Sequence, residues 1–401
     1  MPNQRPSDTY SPLYFLASVG AGGVAVSFFM WLMFWVPHPG RTVPVFEDIA
    51  AAFATGSIAL QGAIIGAMTG IAVFAFLNFR SLIWNLRALS AWKRTEAFQK
   101  FSKTNAQSQL MALPLALAMS INAGFVLGLV FVPGLWNVVE YLFPLAMIAF
   151  LAVGYIAFRT MGAFLGRVLG EGGFNCSANN SFGQVLPAFA FAMTGVGLAA
   201  PAALSANAAI AGTGLVLSTF FLMTAAIIAI VAVFLGFRSM MENGAAPETA
   251  PTLMIVVPLI TVLGILMLRQ NHGLGVHFGL HPEPGANLAL LSKFLSVEIL
   301  FLMFGALILV KQGYFGRFIF GRENSAGSYA LVCPGVAVSV MTHFWLNNGL
   351  VASGLVDKFG AVYWAITALA VASQMTMVWL VFHLNRRHFG APRATAAVPA
   401  E

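Results

Sequence analysis

The chain is short of charge and short of cysteine, and each shortage removes a class of protein. Only 8% of its 401 residues are Asp, Glu, Lys or Arg. A soluble globular domain carries about 25%, so a water-facing shell around one core is excluded. Two cysteines, Cys176 and Cys333, do not make a disulfide framework, and both are expected as free thiols at or near the reducing side of a membrane. The sequence also lacks a phosphate-binding glycine loop, a nucleophile elbow and a helical zinc-binding pair, so neither an enzyme nor a cofactor protein is expected. The polar stretch 1–10 runs directly into an apolar segment too long for a signal-peptide core, which makes that segment its own insertion signal.

What the chain does have is hydrocarbon. Hydrophobic residues make up 59% and the mean hydropathy is +0.85. Crossing a bilayer takes about 20 apolar residues as a helix. Ten such runs occur, at roughly 12–36, 49–78, 109–132, 137–160, 182–204, 207–235, 251–268, 287–311, 327–349 and 360–384. Because lipid cannot hydrogen-bond a backbone, runs this long without alternation are helices. The expected fold is an all-α polytopic membrane protein, one transmembrane domain over 1–401, with lipid as its surroundings.

Lys and Arg set the expected orientation. With the N-terminus inside, sixteen of the twenty basic residues, from Arg5 to Arg393, fall in the cytoplasm, and only Arg41, Arg269, Lys293 and Lys358 fall outside or within a span. The positive-inside rule then places both termini in the cytoplasm; the expected location is a bacterial inner membrane. The net charge of +7 is a topological signal. No basic face interleaved with aromatics accompanies it, so nucleic acid is not an expected partner.

Five prolines, Pro12, Pro114, Pro187, Pro258 and Pro334, stand near the starts of alternate runs, at intervals of 102, 73, 71 and 76 residues. A basic cytoplasmic loop at 80–108 accounts for the longer first interval. Small or weakly polar residues follow each: Gly20 to Gly23, Asn122 to Gly124, Thr194 with Gly195 and Gly197, and Gly264. These repeats imply helical hairpins over about 12–78, 109–160, 182–235, 251–311 and 327–384. The expected arrangement is quasi-fivefold, with proline-kinked odd helices lining a central pore and the even helices outside. Five parallel inner helices would turn their positive dipole ends to the cytoplasmic mouth and attract anions.

Proline-marked odd helices in five hairpins, with the ninth-helix segment Tyr329-Ala330-Leu331-Val332-Cys333-Pro334-Gly335-Val336-Ala337, resemble the tellurite-resistance/dicarboxylate transporter (TehA-like) family, which includes the plant slow-type anion channels. A bacterial TsoY-like subgroup is a second likeness. The family resemblance implies a homotrimer with one pore per protomer, plugged by a ninth-helix phenylalanine. Cys333 occupies that phenylalanine's position here, so Phe125, Phe189 or Phe191 would have to substitute or the pore is less tightly closed.

Candidate pore-lining or gating residues are therefore Cys333, Pro334, Pro114, Pro187, Pro258, Asn122, Thr194, Ser339, Thr342 and His343. Their polar side chains at membrane depth are costly unless used or bonded, and Ser or Thr bonding back to its own helix is the competing account. Glu298, inside the eighth run, would cost about 2.5–3.5 kcal/mol uncompensated; a structural or trimer-interface role is expected. His272, His277 and His281 are read as lining a solvated outer loop over 271–284. The functional expectation is a channel or facilitated carrier for small anions, driven by the ion's own gradient or a coupled proton. Two alternatives stay open: a quinone- or haem-handling membrane anchor using His343 and His383, which fall near opposite faces of the membrane in this topology, and a non-conducting thiol sensor on the same fold.

Overall fold

The structure, a computed structural model, describes residues 10–280 and 283–389. All regular secondary structure among them is helical: α1 (Phe15–Trp35), α2 (Phe46–Thr55), α3 (Ile58–Trp92), α4 (Glu96–Phe101), α5 (Ala112–Phe131), α6 (Val139–Gly170), α7 (Leu186–Leu204), α8 (Ala208–Asn243), α9 (Val256–Phe278), α10 (Pro284–Lys311), α11 (Val332–Phe344) and α12 (Ala361–Phe389). With their 3-10 and π turns they supply ten helices long and apolar enough to cross a membrane.

Several boundaries differ from the expected ones: α6, α8 and α9 run on to Gly170, Asn243 and Phe278, past the expected 160, 235 and 268, and the second span differs at both ends. The second run does not start at 49, because Gly56 ends the short α2 and Ser57 caps α3 by accepting the Leu60 N–H at 3.3 Å. At its other end α3 continues through Trp92, so much of the expected basic loop at 80–108 is helix. Leu82, Asn85 and Leu89 keep one face buried while Arg80 and Arg87 are exposed, a helical period that a hydropathy window reads as loss of the span.

Each proline marks a change of helix type. A 3-10 turn precedes every odd span: Pro12–Tyr14, Asn105–Met111, Phe182–Val185, Pro247–Met254 and Ala326–Leu331. Pro114, Pro187, Pro258 and Pro334 then fall in the first turn of α5, α7, α9 and α11. A first-turn residue has no intrahelical acceptor for its N–H, so proline costs nothing there. The expected mid-helix kink is thus a tight 3-10 approach that relaxes into an α-helix.

Burial separates two layers. The best apolar windows of the first, third, fifth, seventh and ninth spans are 50–94% buried, against 17–39% for the others. Inside, α1 packs on α5 and α11, α5 on α7, α7 on α9, and α9 on α11. Neighbours in sequence also pack: α1 with α3, α5 with α6, α7 with α8, α9 with α10 and α11 with α12. Gly20 faces Val332 and Gly23 faces Val336, so α1 and α11 run parallel. Small residues carry these approaches: a side chain at Gly22 would meet Met119 and Asn78, and one at Gly70 would enter the Phe28 ring. The buried Asn78 side-chain amide donates to the Ser18 backbone carbonyl at 2.8 Å, and the Ser18 hydroxyl donates to the Asn78 backbone carbonyl at 3.0 Å, tying α3 to α1.

Candidate functional site

All five odd spans contribute to one cavity of about 300 Å³. Toward the helix N-termini its lining ends at Val19, Met119, Phe189, Pro258 and Cys333. One turn further down, Phe15, Leu115 and Leu186 are fully buried. The other end reaches Thr42, Val43, Trp136 and His272. From Pro258 to Arg269 the cavity follows α9 for about 16 Å at 1.5 Å per residue.

Most of the wall is apolar, and its few polar groups come from different helices. Asn122 projects from α5, its amide 3.5 Å from the Met193 sulfur. Thr261 projects from α9, and its hydroxyl lies 2.6 Å from Glu298 Oε1 on α10. Arg269, two turns further along α9, donates from Nη1 to the Val196 carbonyl at 2.7 Å. Pro201, inside α7, has no N–H for the Gly197 carbonyl and loosens the helix beside this bond. Among the described residues the lining holds no Asp, Glu or Lys, and Arg269 is in no ion pair. A guanidinium with five donors and one carbonyl partner has donors to spare.

The end at Thr42 and His272 is braced from outside the spans. Arg41 pairs with Asp48, and Glu47 accepts the Gly134 N–H at 2.6 Å, which holds α2 against the 132–138 turn. That backbone hydrogen bond lowers the Glu47 carboxyl below its ordinary value.

Of the residues expected to line a pore, Cys333, Asn122 and Pro258 face the cavity. Pro114, Pro187 and Pro334 are buried outside its lining, in the first-turn role described above. Thr194 is also outside it, fully buried and bonded to the Ala190 carbonyl at 3.0 Å, which is the back-bonding account. Thr342 is half-buried off the lining. Ser339 and His343 are fully buried and off the lining, without hydrogen-bond partners for the hydroxyl or either ring nitrogen; the His343 ring stacks on Phe34 at 6.2 Å. Of the three phenylalanines considered in place of a ninth-helix plug, Phe125 and Phe189 line the cavity, whereas Phe191 packs outward on Phe158 at 4.6 Å.

The outer-loop histidines are placed differently from expectation. His272 and His277 sit on the last turns of α9 instead of in a loop, and His281 lies outside the described residues. Gly273 lets α9 pass directly over the Ala202 carbonyl of α7. His272 approaches Thr42 and His277 the Ser205 carbonyl, so the two rings serve different contacts. Glu298 is fully buried against α9, away from any outer surface on which a trimer contact would form. His383 bonds the Ile319 carbonyl at 2.8 Å. Tyr363 bonds Asn347 and Ser373 bonds the Gly335 carbonyl, so His343 is level with about residue 366 of α12. That leaves His343 and His383 about 25 Å apart along the axis, too far to hold one ring system between them.

Sequence reasoning missed Arg269 as a site residue, counting it only as a charge outside the cytoplasm. The signal was present: among the described residues of the span Pro247–Phe278, Arg269 is the one Lys or Arg, and a charge at membrane depth is functional by default. The chain matches no family model and no curated protein.

Proposed function

We propose that the protein is a membrane channel or facilitated carrier for small anions, with a central pore in each protomer. The observation that carries this reading is Arg269, a cation on the wall of a cavity bounded by all five buried spans, with no carboxylate partner. An anion can take the guanidinium donors that Val196 leaves free, and the apolar wall around them strengthens that attraction while limiting hydration. Weakly polar Asn122 and Thr261 give a passing anion hydrogen bonds without a trap.

In this reading the succession of contacts among the odd spans is a quasi-fivefold ring of helical hairpins. The first turns of its members gather at the narrow end, where their dipoles add a positive potential. Phe189 and Cys333 form the constriction there, the phenyl ring coming from α7 and the ninth span contributing a thiol. The resemblance to the tellurite-resistance/dicarboxylate transporter family supports a homotrimer, and the distribution of Lys and Arg supports a bacterial inner membrane with both termini cytoplasmic.

Anion flux into proteoliposomes tests the proposal, with chloride, nitrate and a dicarboxylate supplied in turn. A charge-assisted hydrogen bond is worth about 1.5–3 kcal/mol, so Arg269→Gln should slow flux about 10- to 100-fold. Equal flux of all solutes through wild type and variant, or flux of cations only, would remove the reading.

A further inference from the structure

Glu298 is the one buried carboxylate among the described residues at membrane depth, and the anion reading above leaves it unused. It is fully buried on α10. Its Oε1 lies 2.6 Å from the Thr261 hydroxyl, and its Oε2 has no hydrogen-bond partner. The Thr261 oxygen also lies 3.2 Å from the Val257 carbonyl one turn back. Thr261 belongs to the cavity wall. A single hydroxyl therefore stands between the carboxylate and the space in which the anion is proposed to move.

The elements packed on α10 are α9, α11, the 3-10 turn Pro247–Met254 and the π turn Trp345–Val351. Their ionisable groups are Arg269, His272 and His277 on α9, Cys333 and His343 on α11, and the exposed Glu248 of the 3-10 turn; the π turn has none. On α10 itself the nearest is Lys293, which is exposed. None of these groups is bonded to or paired with Glu298.

The hydrogen bonds around Thr261 have two self-consistent settings. With Glu298 ionised, the threonine hydroxyl donates to Oε1. With Glu298 protonated, its O–H donates to the threonine oxygen, whose own hydrogen turns to the Val257 carbonyl. A proton from cavity water passes between the settings by one hop onto Thr261 and one hop off it, water losing the proton that the carboxylate gains. No other bond forms or breaks.

We propose that Glu298 is a proton-binding site read by the cavity through Thr261, and that its proton accompanies the anion as a symported or co-bound partner. The inference rests on the anion reading and supplies its coupling ion. An anion on Arg269 adds negative charge to the low-dielectric surroundings of Glu298, which favours the protonated setting, and linkage requires that protonation in turn favours the anion.

The test is anion flux and lumenal pH followed together in proteoliposomes, with infrared difference spectroscopy of the protonated carboxyl in parallel. Wild type should carry protons in the direction of the anion and speed up when the anion side is acidified. Glu298→Gln should lose the proton signal and the acid stimulation, Thr261→Val should weaken both, and Lys293→Gln, exposed on the same helix, should keep both. A carboxyl band absent from Glu298→Gln should grow when anion is added. Retention of the full pH response in folded Glu298→Gln, or a Glu298 band indifferent to anion and pH, overturns the proposal. Absence of flux in wild type would overturn the anion reading instead, and the infrared titration would still decide whether Glu298 exchanges protons.

Discussion

Arg269 Nη1 on α9 donates to the Val196 carbonyl on α7 at 2.7 Å, so the cation of the cavity is held by backbone and not by a counter-charge. A backbone carbonyl orients a guanidinium without neutralising it. The shape of the donor fork should therefore matter as well as the charge.

Arg269→Lys keeps the charge but loses the fork that engages Val196 and a ligand together. Flux should fall about tenfold, the equivalent of about 1.4 kcal/mol, and remain above that of Arg269→Gln. Initial rates of chloride entry at matched protein incorporation provide the comparison.

Cys333 faces the cavity and Cys176 is exposed on the turn before α7. A small, membrane-permeant thiol reagent should slow flux in wild type and in Cys176→Ser but not in Cys333→Ser. Mass spectrometry of the modified sites, read beside flux, checks the assignment. Inhibition that survives in Cys333→Ser and disappears in Cys176→Ser would move the sensitive thiol to the turn.

Gly197 lies under the Phe150 ring, where an added Cβ has no room. Overpacking of this kind costs about 1–3 kcal/mol. Gly197→Ala should lower the thermal midpoint in detergent, and adding Phe150→Ala should recover part of the loss. An additive double variant would show that the two sites do not share the space.

Glu47 accepts the Gly134 N–H, and this bond lowers its carboxyl below the ordinary 4.5. A group lowered in the folded state contributes stability above its unfolded value, and that contribution is lost as pH falls through the folded value. The thermal midpoint of wild type should exceed that of Glu47→Gln near neutral pH, and the gap should close as pH drops below 4.5. The exposure of Glu47 makes the gap small.

Much of the bundle was legible because bilayer thickness imposes a length that composition reveals. Ten apolar runs became ten helices long and apolar enough to cross a membrane, and the prolines at 114, 187, 258 and 334 marked helix beginnings. The extension of α3 to Trp92 was not legible, since its buried stripe of Leu82, Asn85 and Leu89 is hidden among charges in any averaged window. His272 and His277 were misplaced because glycine reads as a breaker when no neighbour is known, and the neighbour that requires Gly273 is Ala202, some seventy residues away. Among the polar residues after each proline, Asn122 and Thr194 occupy similar places in their repeats, yet one faces the cavity and the other bonds its own helix. A turn or two of sequence spacing does not fix the rotation of a helix about its axis; packing against its neighbours does.

The sequence by itself determined that this chain forms ten helices long and apolar enough to cross a membrane, because each apolar run must satisfy its backbone internally whatever surrounds it. Only tertiary structure decided that Arg269, Asn122, Thr261 and Cys333 share one cavity and that Glu298 meets Thr261. Those relations join residues from four helices, and the physical reason they are invisible in sequence is that helix rotation and neighbour choice are set by the close fit of side chains distant along the chain.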